Sequence, residues 1–171
     1  MFLRTKRLRI VPLIETDANE LVGLLDPQVN AYLLPEDKPT NEQDLREHYR
    51  GMQEAARQTS ATSRFIPLTV RLIDGNRAIG RIEALVHGRD AEIAFLFVAS
   101  SWGNGFATEA VQAVAAKLKS TGVARLWACV SPENSRSLAL CQRLSFEPAA
   151  PPRTFVSATF DEGDDVLSVN L

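Results

Sequence analysis

EIAFLFVASSWGNGFATEAVQAVAAKLKSTG, residues 92–122, carries the signals that decide the fold. After Glu92, the run from Ile93 to Ala99 holds no charge, which predicts a strand covered by protein on both faces and therefore central in its sheet. After the turn, Phe106, Ala107, Ala110, Val111, Val114, Ala115 and Leu118 recur on one helical stripe. Glu109 sits near the start of that stripe, Lys117 and Lys119 near its end, and Gly122 beyond it, the order a helix dipole and a glycine stop favour.

Upstream, RLRIVPL places Leu8 and Ile10 on one face of a first strand. A helical pattern with Leu21, Leu24 and Leu25 runs from Thr16 and stops before Asp26-Pro27, because proline restricts the residue before it. Thr40 and Gln43 form a capping-box pattern ahead of Leu45, Tyr49, Met52 and Ala56, which predicts a second helix. RFIPLTVRLI, the turn Asp74-Gly75, AIGRIEALV and the turn at His87–Asp90 then lead into the central strand as an antiparallel meander.

Downstream, VARLWACV reads as a strand, and strand, helix, strand in this length implies a right-handed crossover between parallel neighbours. A last helix is expected from Asn134 or Ser135 to Leu144, and DVLSVNL closes the chain as a strand. The expectation is one α/β (α+β) domain over residues 1–171, with a mixed, mostly antiparallel sheet flanked by helices.

With 171 residues, 45% hydrophobic and 23% charged, the chain has the composition of a globular protein with one core. Nineteen basic against twenty-one acidic residues supply no global positive field, which argues against nucleic acid as the main partner. Cys129 and Cys141 are too few for a disulfide framework and, with His48 and His87, give no metal-site spacing. No apolar window has membrane-spanning length, and the start alternates without the apolar core of a signal peptide; a cytoplasmic location and no membrane partner are expected.

Gly103 and Gly105 remove side chains where the strand gives way to the helix. Two glycines can serve simply to make a sharp turn, but here the turn opens a strongly amphipathic helix outside the carboxyl end of a central strand. Free first-turn N–H groups and the helix dipole then make an anion site, and a diphosphate is the natural guest. No GxxxxGK[ST] is present, and Thr108 stands at the third glycine position of GxGxxG, so a nucleotide triphosphatase or a dehydrogenase fits poorly.

WGNGFA resembles the [QR]xxGx[GA] signature of the GNAT superfamily of N-acetyltransferases. EIAF and WGNGFATEA are most similar to EIGY and WGxGYATEA of the branch that contains the ribosomal-protein N-terminal acetyltransferases. Asn134, Ser137, Ser145 and Phe146 stand where that branch has NxxS and then GF, and the element order agrees over nearly the whole chain. The resemblance implies acetyl-CoA or a related acyl-CoA as donor. By position, the backbone of Phe97 and Val98 would bond the pantetheine arm, and Gly103, Asn104, Gly105, Phe106, Ala107 and Thr108 would surround the pyrophosphate. Asn134 would lie near the pantetheine, and Ser137 near the thioester sulfur.

Transfer needs a neutral amine, stabilisation of an oxyanion and protonation of the leaving thiolate. An α-amine of pKa about 7.7–8.0 is roughly a tenth neutral at pH 7, whereas a lysine near 10.4 is neutral only to a few parts in ten thousand, so an N-terminal acceptor asks less of a base. Ser137 is the candidate donor to the leaving sulfur, although serine and asparagine here also suit simple helix capping. Glu92 is the candidate acceptor of the amine's proton, with Glu83 second.

Many GNAT enzymes carry a tyrosine four residues after the serine position; here it is Cys141, for which inert packing is the plainer reading. Ala99-Ser100 and Ser145 depart from the branch's usual Pro-Glu and glycine, and the proline-rich PAAPPR replaces a more regular segment with a rigid loop that could shape the acceptor cleft. The acidic DEGDD could draw in cationic amines but reads more simply as a solvated turn. Two functions stay open: acetyl transfer to a peptide N-terminus or small-molecule amine, and a non-catalytic acyl-CoA-binding module, as monomer or homodimer.

Overall fold

The computed structural model describes residues 1–34, 38–58, 60, 63–150 and 159–171. Its strands are β1 (Leu3–Arg4), β2 (Leu8–Pro12), β3 (Ser63–Leu72), β4 (Ala78–His87), β5 (Asp90–Phe97), β6 (Arg125–Val130), β7 (Glu147–Pro148) and β8 (Asp165–Asn170). The helices are α1 (Glu42–Arg57), α2 (Phe106–Ser120) and α3 (Ser135–Arg143). All eight strands form one sheet in the order β1-β2-β3-β4-β5-β6-β8-β7. Among the described strands only β5 and β6 run parallel, joined through α2 as a crossover; the other pairs are antiparallel, and β3-β4-β5 is the expected meander.

The helix α2 follows its sequence signal closely. Ala110, Val111, Val114 and Leu118 are buried under the sheet, and each large apolar side chain among them stabilises the fold by about 1.5–3 kcal/mol. The helix ends beside Gly122, whose φ of +98° no β-branched or bulky residue adopts comfortably.

Three expectations need correction. The segment from Thr16 forms two short 3-10 helices, Glu15–Asn19 and Val22–Leu25, instead of one α-helix. Asp17 is pinned there: its carboxylate accepts from the Ile14 N–H and pairs with Arg71, which holds the first turn to β3 and tightens it. The cap of α1 is Asn41, one residue later than Thr40, with its side chain accepting the Asp44 N–H at 3.0 Å. Thr40 instead bonds the Asp44 side chain, because asparagine and aspartate compete for this position as well as threonine does.

The uncharged central strand is not covered on both faces: Ala94, Phe95 and Leu96 are partly exposed. Its apolar character serves a cleft as well as a core. At the end of the chain Glu147–Pro148 forms β7, pairing Ser168 and Leu167 of β8, while residues 151–153 of PAAPPR lie outside the described residues.

Candidate active site

The parallel ladder between β5 and β6 is short. It pairs Asp90 with Arg125, Ala91 with Leu126 and Glu92 with Trp127, and goes no further, although β6 stays paired with β8 as far as Val130 and Asp165. Beyond Glu92 the two parallel strands therefore separate. Val98 donates its N–H to the Ile79 carbonyl at 3.0 Å, which sets the phase of the β4-β5 ladder. Since antiparallel partners exchange bonds at every second residue, Ile93, Phe95 and Phe97 turn their backbone groups toward the gap.

Two cavities meet at this gap, of about 560 and 280 Å³. Both are walled by Val29, Tyr32, Phe95, Leu96, Asn134 and Ser137. The larger is completed by Phe97, Gly103, Gly105 and the first helical residues Phe106, Ala107 and Thr108. Gly103 and Gly105 have φ of +75° and +73°. A Cβ at Gly103 would meet nothing within 4 Å, so its side of the turn is open space in which a ligand can come against bare backbone.

The first main-chain bond of α2 runs from the Glu109 N–H to the Gly105 carbonyl, 3.1 Å, which leaves the N–H groups of the preceding residues unspent at the cavity wall. Arg136 and Arg143 also line this cavity, and none of its described lining residues is a carboxylate. The Arg136 guanidinium lies 4.2 Å from the Trp102 ring centre, bridging α3 to the glycine turn. The cavity thus favours an anion.

Asn134 and Ser137 come together as expected. The Asn134 side chain caps α3 by accepting the Ser137 N–H at 3.1 Å, and Ser137 lines both cavities. Two other positions are corrected. The Val98 N–H is spent on Ile79 and its carbonyl on Ser101, so its backbone is closed to a ligand. Asn104 turns its side chain back onto the Ser101 and Trp102 carbonyls, 3.2 and 2.9 Å, where it braces the turn instead of walling the cavity.

The smaller cavity carries a different set of charges. Arg81, buried in β4, places Nη1 3.1 Å from Glu83 and 2.9 Å from the His48 Nε2. Burial, with the Arg81 charge beside it, lowers His48 to about 4, so the ring is neutral at physiological pH. Glu92 lies beneath this cavity rather than on its wall: it is 2% exposed and accepts from the Thr159 hydroxyl, 2.6 Å away, Thr159 being a residue that does line the cavity. Cys141 is buried in the core with its thiol pushed up to about 11, the state of a packing residue, not of a nucleophile.

Sequence reasoning missed Arg136, Trp102, Tyr32, His48 and Arg81 as site residues, because each is brought in by a different element. Asp164, from DEGDD, was read as a solvated turn, yet it lines the smaller cavity. No described helix is long and apolar enough to cross a membrane, and no described group of His, Cys, Asp and Glu is arranged to hold a metal.

Comparison with known proteins agrees with this geometry. A GNAT-family acetyltransferase from Bacillus anthracis superposes with a TM-score of 0.77 at 22% identity, over 100% of this chain and 98% of that one. A Salmonella typhimurium acetyltransferase that modifies the N-terminal serine of ribosomal protein L7/L12 gives 0.76 at 16% identity, over 100% and 99%. RimL, a ribosomal L7/L12 alpha-N-protein acetyltransferase solved in complex with coenzyme A, gives 0.76 at 15% identity, over 100% and 98%. At such identities these likenesses establish the fold. No curated protein sequence matches the chain significantly. The acetyltransferase (GNAT) domain family, however, matches residues 7–147, most of the chain, and the chain belongs to that family.

Proposed function

We propose that this protein transfers the acetyl group of acetyl-CoA to a primary amine, with a protein or peptide α-amine as first acceptor and a small-molecule amine as second. The observation that carries the reading is the gap between β5 and β6, where a cavity with two arginines and a bare glycine turn meets one holding carboxylates. An anionic donor on one side and a cationic acceptor on the other can meet there.

The residues fit the donor. Phe106, Ala107 and Thr108 offer backbone N–H groups to a pyrophosphate at the positive end of α2, with Gly103 and Gly105 admitting it closely. Phe95 and Phe97, rather than Val98, present backbone groups for a strand-like bond with the pantetheine arm. The Phe97 carbonyl already accepts from Trp102 Nε1 at 2.8 Å, so its N–H and both groups of Phe95 remain for this purpose. Asn134 fixes the start of α3, and Ser137 stands at the junction of the cavities, where its hydroxyl can donate to the leaving sulfur. Glu92 is linked to the acceptor side through the Thr159 hydroxyl, a bond along which it can receive a proton.

Thermal unfolding with acetyl-CoA, CoA, ATP and NADH at equal concentration tests the donor site, since a ligand at about 100 times its Kd stabilises by roughly 2.7 kcal/mol. A shift with the CoA species alone is expected; a shift with ATP or NADH alone would reverse the reading. CoA release across a panel of amines then separates transfer from binding without turnover. Ser137→Ala is expected to lower the rate while leaving acetyl-CoA affinity unchanged.

A further inference from the structure

In the turn Asp161–Asp165, four residues are exposed and Asp164 alone is half-buried and walls the smaller cavity. Its direction is built in. The Asp161 N–H donates to Asp164 Oδ2 at 3.2 Å, the Asp164 N–H returns a bond to the Asp161 carbonyl at 3.1 Å, and Gly163 turns the chain with φ of +101°. The next residue, Asp165, is paired with Val130 of β6, so the carboxylate stands one step from the rigid sheet.

The other ionisable groups of the cavity come from every wall. Arg81 and Glu83 of β4 are paired with each other, His48 of α1 is neutral, and β6 contributes Cys129. Tyr32 comes from the early loop, while Ser137 and Asn134 face in from α3. Asp164 forms no ion pair with any described residue. A carboxylate in a half-closed cavity whose one described cation, Arg81, is already paired with Glu83 can receive another.

Taking acetyl transfer as the reaction, we propose that Asp164 receives the acceptor's ammonium group and takes its proton before attack on the thioester. The carboxylate accepts one proton from the ammonium, and the neutral nitrogen bonds to the acyl carbon. As the carbon–sulfur bond breaks, a second proton from that nitrogen passes to the thiolate by way of the Ser137 hydroxyl. Products are the amide and the free thiol, and Asp164 returns its proton to solvent. Burial, together with the charges of Asp161 and Asp165, raises the Asp164 carboxyl above its ordinary value, which suits a proton acceptor.

The test uses the full chain as wild type, Asp164→Asn and Asp165→Asn. Asparagine keeps the shape and the bond from Asp161, and it removes a charge that the fold disfavours. Asp164→Asn is therefore expected to melt at or above the wild-type temperature at pH 7. With acetyl-CoA saturating, and peptide α-amines, amino acid amides and spermidine as probes, kcat/KM for the amine should fall by about 100-fold or more in Asp164→Asn, at unchanged acetyl-CoA Kd. Asp165→Asn should stay within about twofold of wild type, as expected for an exposed surface change. Equal losses in both variants would reduce Asp164 to part of a general acidic field, and unchanged amine kinetics in Asp164→Asn would remove it from the reaction. Either result would overturn the proposal and leave acetyl transfer standing. A wild type that binds acetyl-CoA but acetylates none of the probes would overturn both.

Discussion

Arg7 on the N-terminal side of β2 pairs with Glu109 in the first turn of α2, Nε to Oε2 2.7 Å, although 102 positions separate them. The same guanidinium donates to the Asn104 carbonyl at 2.9 Å and lies 4.5 Å from the Phe106 ring centre. One side chain thus holds both ends of the glycine turn. Desolvation alone would raise Glu109, but bonds from Thr5 and Arg7 outweigh it and keep the carboxyl below its usual range. Arg7→Met should cost at most about 1 kcal/mol of stability, because the pair is partly exposed, yet weaken acetyl-CoA binding several-fold by loosening the turn. Calorimetric affinity equal to wild type would show that the turn holds its shape without the clamp.

Gly105→Val separates strain from ligand exclusion. The nearest atom to a Cβ there is the Arg7 Nη2 at 3.7 Å, an ordinary contact, so the fold loses only the cost of φ +73°, about 1–2 kcal/mol. Binding suffers more: displacing the phosphate from charge-assisted N–H bonds worth about 1.5–3 kcal/mol each should weaken acetyl-CoA at least tenfold. A folded variant with wild-type affinity would place the donor elsewhere.

His48 gives a pH signature. Its folded pKa of about 4 lies below the unfolded value of about 6.5, so the unfolded chain binds the proton first as the pH drops. Stability from this residue is complete above pH 6.5 and is lost as the pH falls from there through 4. Carboxyls held low, such as Glu15 and Asp44, lose theirs only at still lower pH. Melting temperatures of wild type and His48→Gln should diverge between pH 7 and 4.5, with wild type falling more steeply. Asp164 acts in the opposite sense but equally in both proteins, so the comparison is unaffected, and parallel curves would mean that the ring is not buried neutral.

Ser145 carries an avoidable strain. It closes α3 in a left-handed conformation, φ +62°, with its N–H bonded to Gln142 and that of Phe146 to Cys141. This is the helix-ending arrangement that glycine serves best. Ser145→Gly should stabilise the protein by about 1 kcal/mol, a rise of roughly 2–4 °C in melting temperature. A lower melting temperature would mean that the serine side chain contributes something the hydrogen bonds do not reveal.

The contrast between α2 and the smaller cavity shows how far the sequence reaches. The stripe of α2, its glycine entry, its lysines and its Gly122 stop are encoded within one short stretch and folded as read. The meander and the parallel crossover followed from alternation and element length, and Asn134 from capping chemistry. The first segment was misread as an α-helix because Asp17 answers to Arg71, a partner 54 positions away.

What the sequence by itself determined, then, is the order of elements, the open glycine turn at the start of α2 and the family. Only the tertiary structure decided that Glu92 lies beneath the cavity, that Val98 has no free backbone groups, and that Asp164 looks inward from an acidic run. The physical reason is range. Periodicity, caps and glycine turns express forces between near neighbours, whereas the gap that opens after Glu92 and Trp127 depends on where two strands distant in sequence stop pairing.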